Sequence, residues 1–291
     1  MKFFNINSKA EVKLCLGKVI DEIVQEYVNR DSYYLEKITQ KHLNVPVFLI
    51  NEESFNQIKQ FDYSWQDQPP TEIIGYYTYC SALDPCGKIE VPIIYLCPEK
   101  MLEGGNIDRN DFFSENFVYL FVKVYLHELA HSILDEKRKC INYEKHFHYR
   151  LLEESLANWF VLDMINHFNL VNKKHLPIIN YQELKESGYQ ITRNNFISRF
   201  FNFSHEFIMG QPFEYKIGAD LFNRNLGGFF YQWRNIKMHS CNIIENDQDI
   251  NNGDLAKMVI DNYFNDNTNR HDNSNFEIFK EILTIEGQPW D

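Results

Sequence analysis

The chain has 291 residues, of which 44% are hydrophobic and 24% are charged, so it can bury a core without disulfides or structural metals. This composition excludes a disordered tail, a collagen-like fibre and a coiled-coil rod. The formal net charge of −12 repels phosphate backbones, and we therefore expect no nucleic-acid partner.

The first third of the chain predicts mixed structure. Apolar residues at helical spacing predict a helix over residues 9–29. The segment 45–50 predicts a short buried strand, and segments 73–80 and 88–97 predict two further strands separated by a turn-rich stretch. Pro92 favours an edge or bulge position for the last of these strands.

From residue 111 onward the pattern predicts helices. Ser114 is a suitable N-cap for the first of them, which is strongly apolar. The predicted helical segments are 114–137, 148–169, 182–187, 193–208, 213–234, 254–264 and 275–284. No Pro-, Gly- or Ser-rich linker separates independent domains, so we expect one compact α+β unit with two lobes. Residues 1–140 would form an α/β lobe and residues 141–291 a mainly helical lobe.

The segment HELAH at 127–131 carries the most specific chemical signal. Positions i and i+4 lie on one face of a helix, so the imidazoles of His127 and His131 can reach one metal ion, and imidazole is a good zinc ligand. Glu128 lies about 100° around the helix axis from His127, where a general base could take a proton from a metal-bound water. The alternative is a pair of core histidines held by hydrogen bonds, without a metal.

The next predicted helix contains Glu154-x-x-x-Asn158. Together with the HExxH segment, it resembles the gluzincin metallopeptidases, and its E-x-x-A-N form is similar to bacterial intracellular metallopeptidases that cleave repressors. The resemblance implies a zincin-like fold, Zn²⁺ bound by both histidines and Glu154, and hydrolysis of peptide bonds. It also implies that Asn158, where aspartate is more usual, accepts a hydrogen bond from a ligand histidine. Glu153 stays open as an alternative third ligand, although Glu154 and Asn158 share a helix face.

The same resemblance implies that a strand beside the active-site helix pairs with an extended peptide. Segment 88–100 has the corresponding place in the chain, and the alternative is an ordinary hairpin strand. A donor to the oxyanion of the transition state would come from the helical lobe, and the candidates are His205, Tyr215 and Tyr149. A structural role is the alternative for each of these three side chains.

These residues predict a zinc-dependent peptidase in which Glu128 activates a zinc-bound water. The partner would be a peptide or protein substrate. Two alternatives stay open, namely a zinc-binding regulatory or peptide-binding protein without turnover, and a metal-dependent hydrolase of another amide. Nothing in these patterns predicts an oligomeric state.

The remaining signals concern the cellular compartment. No stretch approaches the 18 to 20 consecutive apolar residues, roughly, that cross a bilayer, and the N-terminus lacks the features of a secretory signal. The cysteines include no C-x-x-C pair and predict reduced thiols, with a loop disulfide between Cys80 and Cys86 as the alternative. We therefore expect a cytoplasmic protein without a membrane partner.

Overall fold

A computed structural model describes residues 3–10, 12, 14–29, 45–61, 74–84, 87–108, 110–134, 147–174, 180–192, 195–211, 213–223 and 230. Within these ranges the chain forms four strands and eight helices. In chain order they are β1 (Phe3–Asn5), α1 (Leu14–Asn29), β2 (Val47–Leu49), α2 (Glu52–Phe61), β3 (Gly75–Asp84), β4 (Gly87–Leu96), α3 (Pro98–Gly104), α4 (Glu115–Leu134), α5 (Phe147–Lys174), α6 (Tyr181–Glu186), α7 (Phe196–Met209) and α8 (Phe213–Asn223).

The strands form one small mixed sheet in the order β1-β2-β4-β3. β1, β2 and β4 are parallel, so that Val47 pairs with Phe3 on one side and with Ile94 on the other. β3 is antiparallel to β4 over the whole length of both strands and is the outer strand on that side of the sheet, with β1 at the opposite edge. The predicted α+β class is therefore confirmed, as a small mixed sheet combined mostly with helices.

The prediction that the strand containing Pro92 lies at the sheet edge is wrong for the C-terminal part of β4. Residues 94–96 pair with β2 as well as with β3. The N–H of Ile94 donates to the carbonyl of Pro46 on the β2 side, at 3.0 Å. Backbone nitrogens two residues apart face the same side of a strand, so the nitrogen of Pro92 faces the β2 side just before β2 begins. In the part of the chain that the structure describes, its missing donor therefore costs no ladder hydrogen bond.

Helix α4 lies at the centre of the core, with nearly all its side chains buried. It packs against the sheet on one side, where Phe121 meets Phe3 edge-on, and against α7 on the other, where Tyr119 stacks on Phe200. A helix that is apolar all round belongs in such a core. At its start, the hydroxyl of Ser114 accepts the N–H of Phe117 at 3.3 Å, as expected of an N-cap.

By length and composition, α4 is also the one helix in the described part of the chain that could cross a membrane. This differs from the expectation that no segment qualifies, because that expectation required an unbroken apolar run. However, 94% of the window that meets these criteria is buried inside the protein. Length and composition alone are therefore weak evidence for a membrane span, because the core helix of a soluble protein meets the same criteria.

Most predicted elements form with shifted ends. The first helix begins at Leu14 rather than at residue 9, and the hairpin strands extend to Asp84 and from Gly87, because their pairing continues to the turn. β1, α2 and α3 were not predicted. The predicted helices 254–264 and 275–284 lie outside the described residues, as do residues 135–146, so the lobe boundary after residue 140 stays a prediction.

The cysteines that the structure describes agree with the prediction of reduced thiols. Cys15 and Cys97 are buried and free. The alternative disulfide between Cys80 and Cys86 involves side chains outside the described part of the chain.

Candidate metal centre

Two adjacent helices, α4 and α5, bring three potential metal ligands together. The Nε2 of His127 lies 3.0 Å from Oε2 of Glu154, and the Nε2 of His131 lies 3.5 Å from the same oxygen. The two Nε2 atoms are 3.1 Å apart. A tetrahedral ion with ligands at about 2.0–2.1 Å holds its donor atoms about 3.3 Å apart. The three separations therefore fit a single ion of this kind.

The hydrogen bond behind His127 explains why a cation suits this arrangement. Its Nδ1 lies 3.1 Å from Oδ1 of the fully buried Asn158. Because an amide oxygen only accepts, Nδ1 carries the hydrogen and Nε2 presents a lone pair. That lone pair faces a carboxylate oxygen of Glu154, and two acceptors at this distance repel each other unless a positive charge lies between them. Among the described residues, His127, His131 and Glu154 form a group that could hold a metal ion.

The charges of the three ligands are strongly coupled. Burial lowers the pKa of His127 to about 4, although the carboxylate of Glu154 acts to raise it, because it would accept a hydrogen bond from a protonated Nε2. Burial also acts to lower the pKa of His131, but the charge of Glu154 and their hydrogen bond outweigh it and raise this pKa to about 9. Burial acts to raise the pKa of Glu154, but the two histidines hold it well below its usual range. In the metal-free protein these shifts favour a protonated His131 beside the Glu154 carboxylate, and binding of a metal ion by His131 would release that proton.

Glu128 lies between the metal group and the outer strand. Its side chain is buried, and burial raises its pKa to about 7, although the charge of His131 and a backbone hydrogen bond with Tyr77 act to lower it. The backbone of β3 approaches it closely at Gly75, where an added Cβ would lie 2.8 Å from Oε1 of Glu128 and 2.6 Å from Cγ1 of Val124. Glycine at this position therefore allows β3 to pack directly against the predicted general base.

The structure distinguishes between the two neighbouring glutamates of α5. Glu154 contributes its carboxylate to the metal group, whereas Glu153 is buried and is not a member of that group within the described residues. The charge of Glu153 contributes to the raised pKa of His131. The hydrogen bond predicted for Asn158 is present, and its partner is His127 rather than His131.

The candidate oxyanion donors are not brought to the metal group by contacts among the described side chains. His205 lies between α7 and α8, where its Nε2 is 3.4 Å from Nδ2 of Asn223 and its ring contacts Phe201. Tyr215 lies in the first turn of α8 and Tyr149 in the first turn of α5, and both side chains lie outside the described part. Their roles stay predictions.

Helix α8 packs against α5 at Asn158, the residue that contacts His127. An added Cβ on Gly218 would lie 2.6 Å from both the carbonyl oxygen of Ser155 and the Cβ of Asn158. The backbones of α8 and α5 therefore touch where Asn158 holds His127. A glycine inside a helix commonly marks such close packing.

The sequence reasoning missed Lys123. This residue is 4% exposed and lies one turn before His127 on α4. The sequence could have indicated Lys123, because it is the one charged residue in the apolar segment 117–126 that precedes the HExxH motif.

Comparison with known proteins adds no relative. No protein-family model matches the chain, and no curated protein and no solved structure matches it either. The likeness to gluzincins therefore rests on the motif residues alone.

Proposed function

We propose that this protein is a zinc-dependent peptidase with a gluzincin-type site in a zincin-like fold. The observation that supports it is the convergence of three donor atoms, 3.0–3.5 Å apart, from His127, His131 and Glu154. Two imidazoles and one carboxylate are a ligand set of catalytic zinc, which leaves a fourth position for water or substrate. The buried carboxylate of Glu128 next to these ligands suits hydrolysis better than a purely structural site.

The side chains around the ligands have distinct roles in this proposal. Zn²⁺, when bound, lowers the pKa of a coordinated water toward about 7 and polarises a substrate carbonyl. Glu128 accepts the proton of the attacking water and delivers it to the leaving amine, and a pKa raised to about 7 suits such a base. Asn158 fixes the tautomer and orientation of His127 through the 3.1 Å hydrogen bond.

The outer strand β3 supports a peptide as the substrate. In the described part of the chain, no strand pairs with the outer side of β3, so its backbone groups on that side could pair with an extended peptide. Gly75 of this strand lies against Glu128, so a peptide bound along β3 would pass beside the general base. This role was assigned from the sequence to segment 88–100, but the internal position of residues 94–96 favours β3 instead.

Metal content and one substitution test the proposal together. We expect the purified protein to bind one zinc ion and to cleave peptides from a mixed-sequence library, and chelation followed by Zn²⁺ should abolish and then restore cleavage. Glu128→Gln should keep the zinc and lose about 10²- to 10⁴-fold in cleavage rate, the contribution of a general base. Glu206→Gln, on the exposed side of α7, is the matched control and should behave like the wild type.

Each other outcome has a defined meaning. Undiminished cleavage by Glu128→Gln would refute the role of this residue as the base. A wild-type protein that binds zinc and peptides without cleaving them would support the binding protein without turnover. Cleavage of other amides but not of peptides would support the more general hydrolase. Absence of bound metal would refute the proposed centre.

A further inference from the structure

A buried lysine lies next to the candidate metal centre. Lys123 is 4% exposed, and its Nζ lies 5.3 Å from the centre of the Phe207 ring on α7. Among the described residues, it forms neither a hydrogen bond nor an ion pair. Its Nζ is not one of the fully enclosed polar atoms without a partner in the described chain, so part of the ammonium surface is accessible. An ammonium group in such surroundings still loses most of its hydration, and a ring face compensates for only part of that cost. The position therefore calls for a reason other than stability.

Lys123 lies on the same side of α4 as the two candidate ligand histidines. Residues 123, 127 and 131 are spaced by four and lie along one ridge of α4. The charges of Glu128 and Glu154 both raise the pKa of Lys123, so its ammonium group is within electrostatic range of the base and of the third ligand. Burial lowers this pKa, the larger effect, to about 8, so the side chain is still charged at pH 7.

The surroundings of Lys123 indicate what it lacks. The carboxylates of Glu128, Glu153 and Glu154 lie near the candidate metal group, but in the described part of the chain none of them forms an ion pair with the Lys123 ammonium. If the proposed function holds, Glu154 binds the metal ion and Glu128 contacts the attacking water, so both carboxylates are engaged elsewhere. An anionic group of a ligand could then pair with the ammonium, in surroundings where charges interact strongly.

We propose that Lys123 binds a carboxylate of the substrate, so that the enzyme prefers peptides with an anionic group near the scissile bond. This inference rests on the proposed function and names its substrate class. The carboxylate belongs either to the C-terminus of the peptide or to an Asp or Glu side chain, and both present the same chemistry to the ammonium.

The test measures binding rather than turnover. The full chain is loaded with Co²⁺, and the dissociation constants of 3-mercaptopropanoate and 3-mercaptopropanamide are measured from the thiolate–cobalt absorption. We expect the wild type to bind the carboxylate at least tenfold more tightly than the amide, about 1.4 kcal/mol. In Lys123→Met this preference should fall to about twofold or less. Any chelation of cobalt by the carboxylate contributes equally in both proteins.

Three further variants make the comparison specific. Lys123→Arg keeps the charge and should keep most of the preference. Lys185→Met, at an exposed position on α6, makes the same change in net charge and should keep the wild-type preference. Lys123→Gln is a second neutral variant, for use if the Met variant fails to fold, and should lose the preference in the same way.

The outcomes distinguish failure of this inference from failure of the metal centre. An equal preference in the wild type and in the neutral variants, with Co²⁺ bound in each, overturns the role of Lys123 and leaves the metal centre intact. A wild-type chain that takes up no Co²⁺ refutes the proposed function and this inference with it.

Two peptide-like thiols then identify the source of the carboxylate. Mercaptoacetyl-alanine presents a free C-terminus, and mercaptoacetyl-aspartyl-amide presents only a side-chain carboxylate. The compound whose affinity falls about tenfold in Lys123→Met carries the group that Lys123 binds. Unchanged affinity for both compounds overturns the proposal.

Discussion

The hydrogen bond from His127 to Asn158 gives the sharpest test of how the fold prepares the metal centre. Asn158→Ala removes the acceptor 3.1 Å from Nδ1 of His127 and keeps the Cβ that contacts α8. Loss of such a partner typically lowers metal affinity 10- to 100-fold, which is about 1.4–2.8 kcal/mol. The cost of leaving a buried N–H unpaired, about 1–3 kcal/mol, has the same size.

A competition titration against a chromophoric zinc chelator measures this affinity in the variant and the wild type. Asn169→Ala is the matched control, because Asn169 is on the same helix, is 9% exposed and accepts a hydrogen bond from Ser198 at 3.0 Å. It lies eleven positions, about 16 Å, along the helix from Asn158. It should therefore lower stability without changing zinc affinity. Asn158→Asp provides a charged acceptor and should bind zinc at least as tightly as the wild type.

Unchanged zinc affinity in Asn158→Ala would refute the reasoning, because it would mean that the orientation of His127 does not depend on this contact. A similar loss in both alanine variants would also contradict it, because the effect would then follow from general destabilisation of α5.

Two other predictions concern the neighbours of the ligands. Gly75→Ala should displace the side chains of Val124 and Glu128, because its Cβ would lie 2.6–2.8 Å from them. We expect this variant to retain its zinc and to lose at least tenfold in kcat/KM. Unchanged kcat/KM would contradict the proposed contact. Lys123→Met should stabilise the metal-free protein at pH 7 by up to about 3 kcal/mol, the equivalent of lowering the Lys123 pKa from 10.5 to about 8. This difference in the free energy of unfolding should shrink as pH rises from 8 to 10.5, because Lys123 loses its proton in the folded wild type before it does so in the unfolded chain. Urea unfolding of both proteins across this pH range measures the difference, and a constant difference would contradict the reasoning.

The three candidate ligands were predictable because helix geometry alone relates them. The spacing of His127 and His131 fixes a shared face whatever surrounds the helix, and the shared face of Glu154 and Asn158 favoured the one of two adjacent glutamates that lies next to the histidines in the structure. These relations depend on the 3.6-residue turn and not on tertiary packing. The contact between the two helices could be expected only from the resemblance to gluzincins.

Relations that depend on the arrangement of neighbouring elements were less predictable. Pro92 is compatible with an internal strand because β2 is short and begins beyond it, and no local signal gives the length of a neighbouring strand. His205 and Phe207 are only two residues apart on α7, yet about 200° apart around its axis. Phe207 therefore meets Lys123 on α4, whereas His205 meets Asn223 on α8. Which flank of α7 faces which helix is decided by packing.

The ridge of α4 shows why the unpaired lysine is informative. Polar groups inside a core helix are normally satisfied. The hydroxyl of Tyr119 donates to the carbonyl of Phe196 at 3.2 Å, and His127 and His131 have their partners on α5. Lys123 lies on the same ridge and has no such partner among the described residues. On this ridge Lys123 is the polar side chain without such a partner, and it lies next to the one cluster of metal-type ligands in the described chain. The proposed binding of a substrate carboxylate would explain this placement.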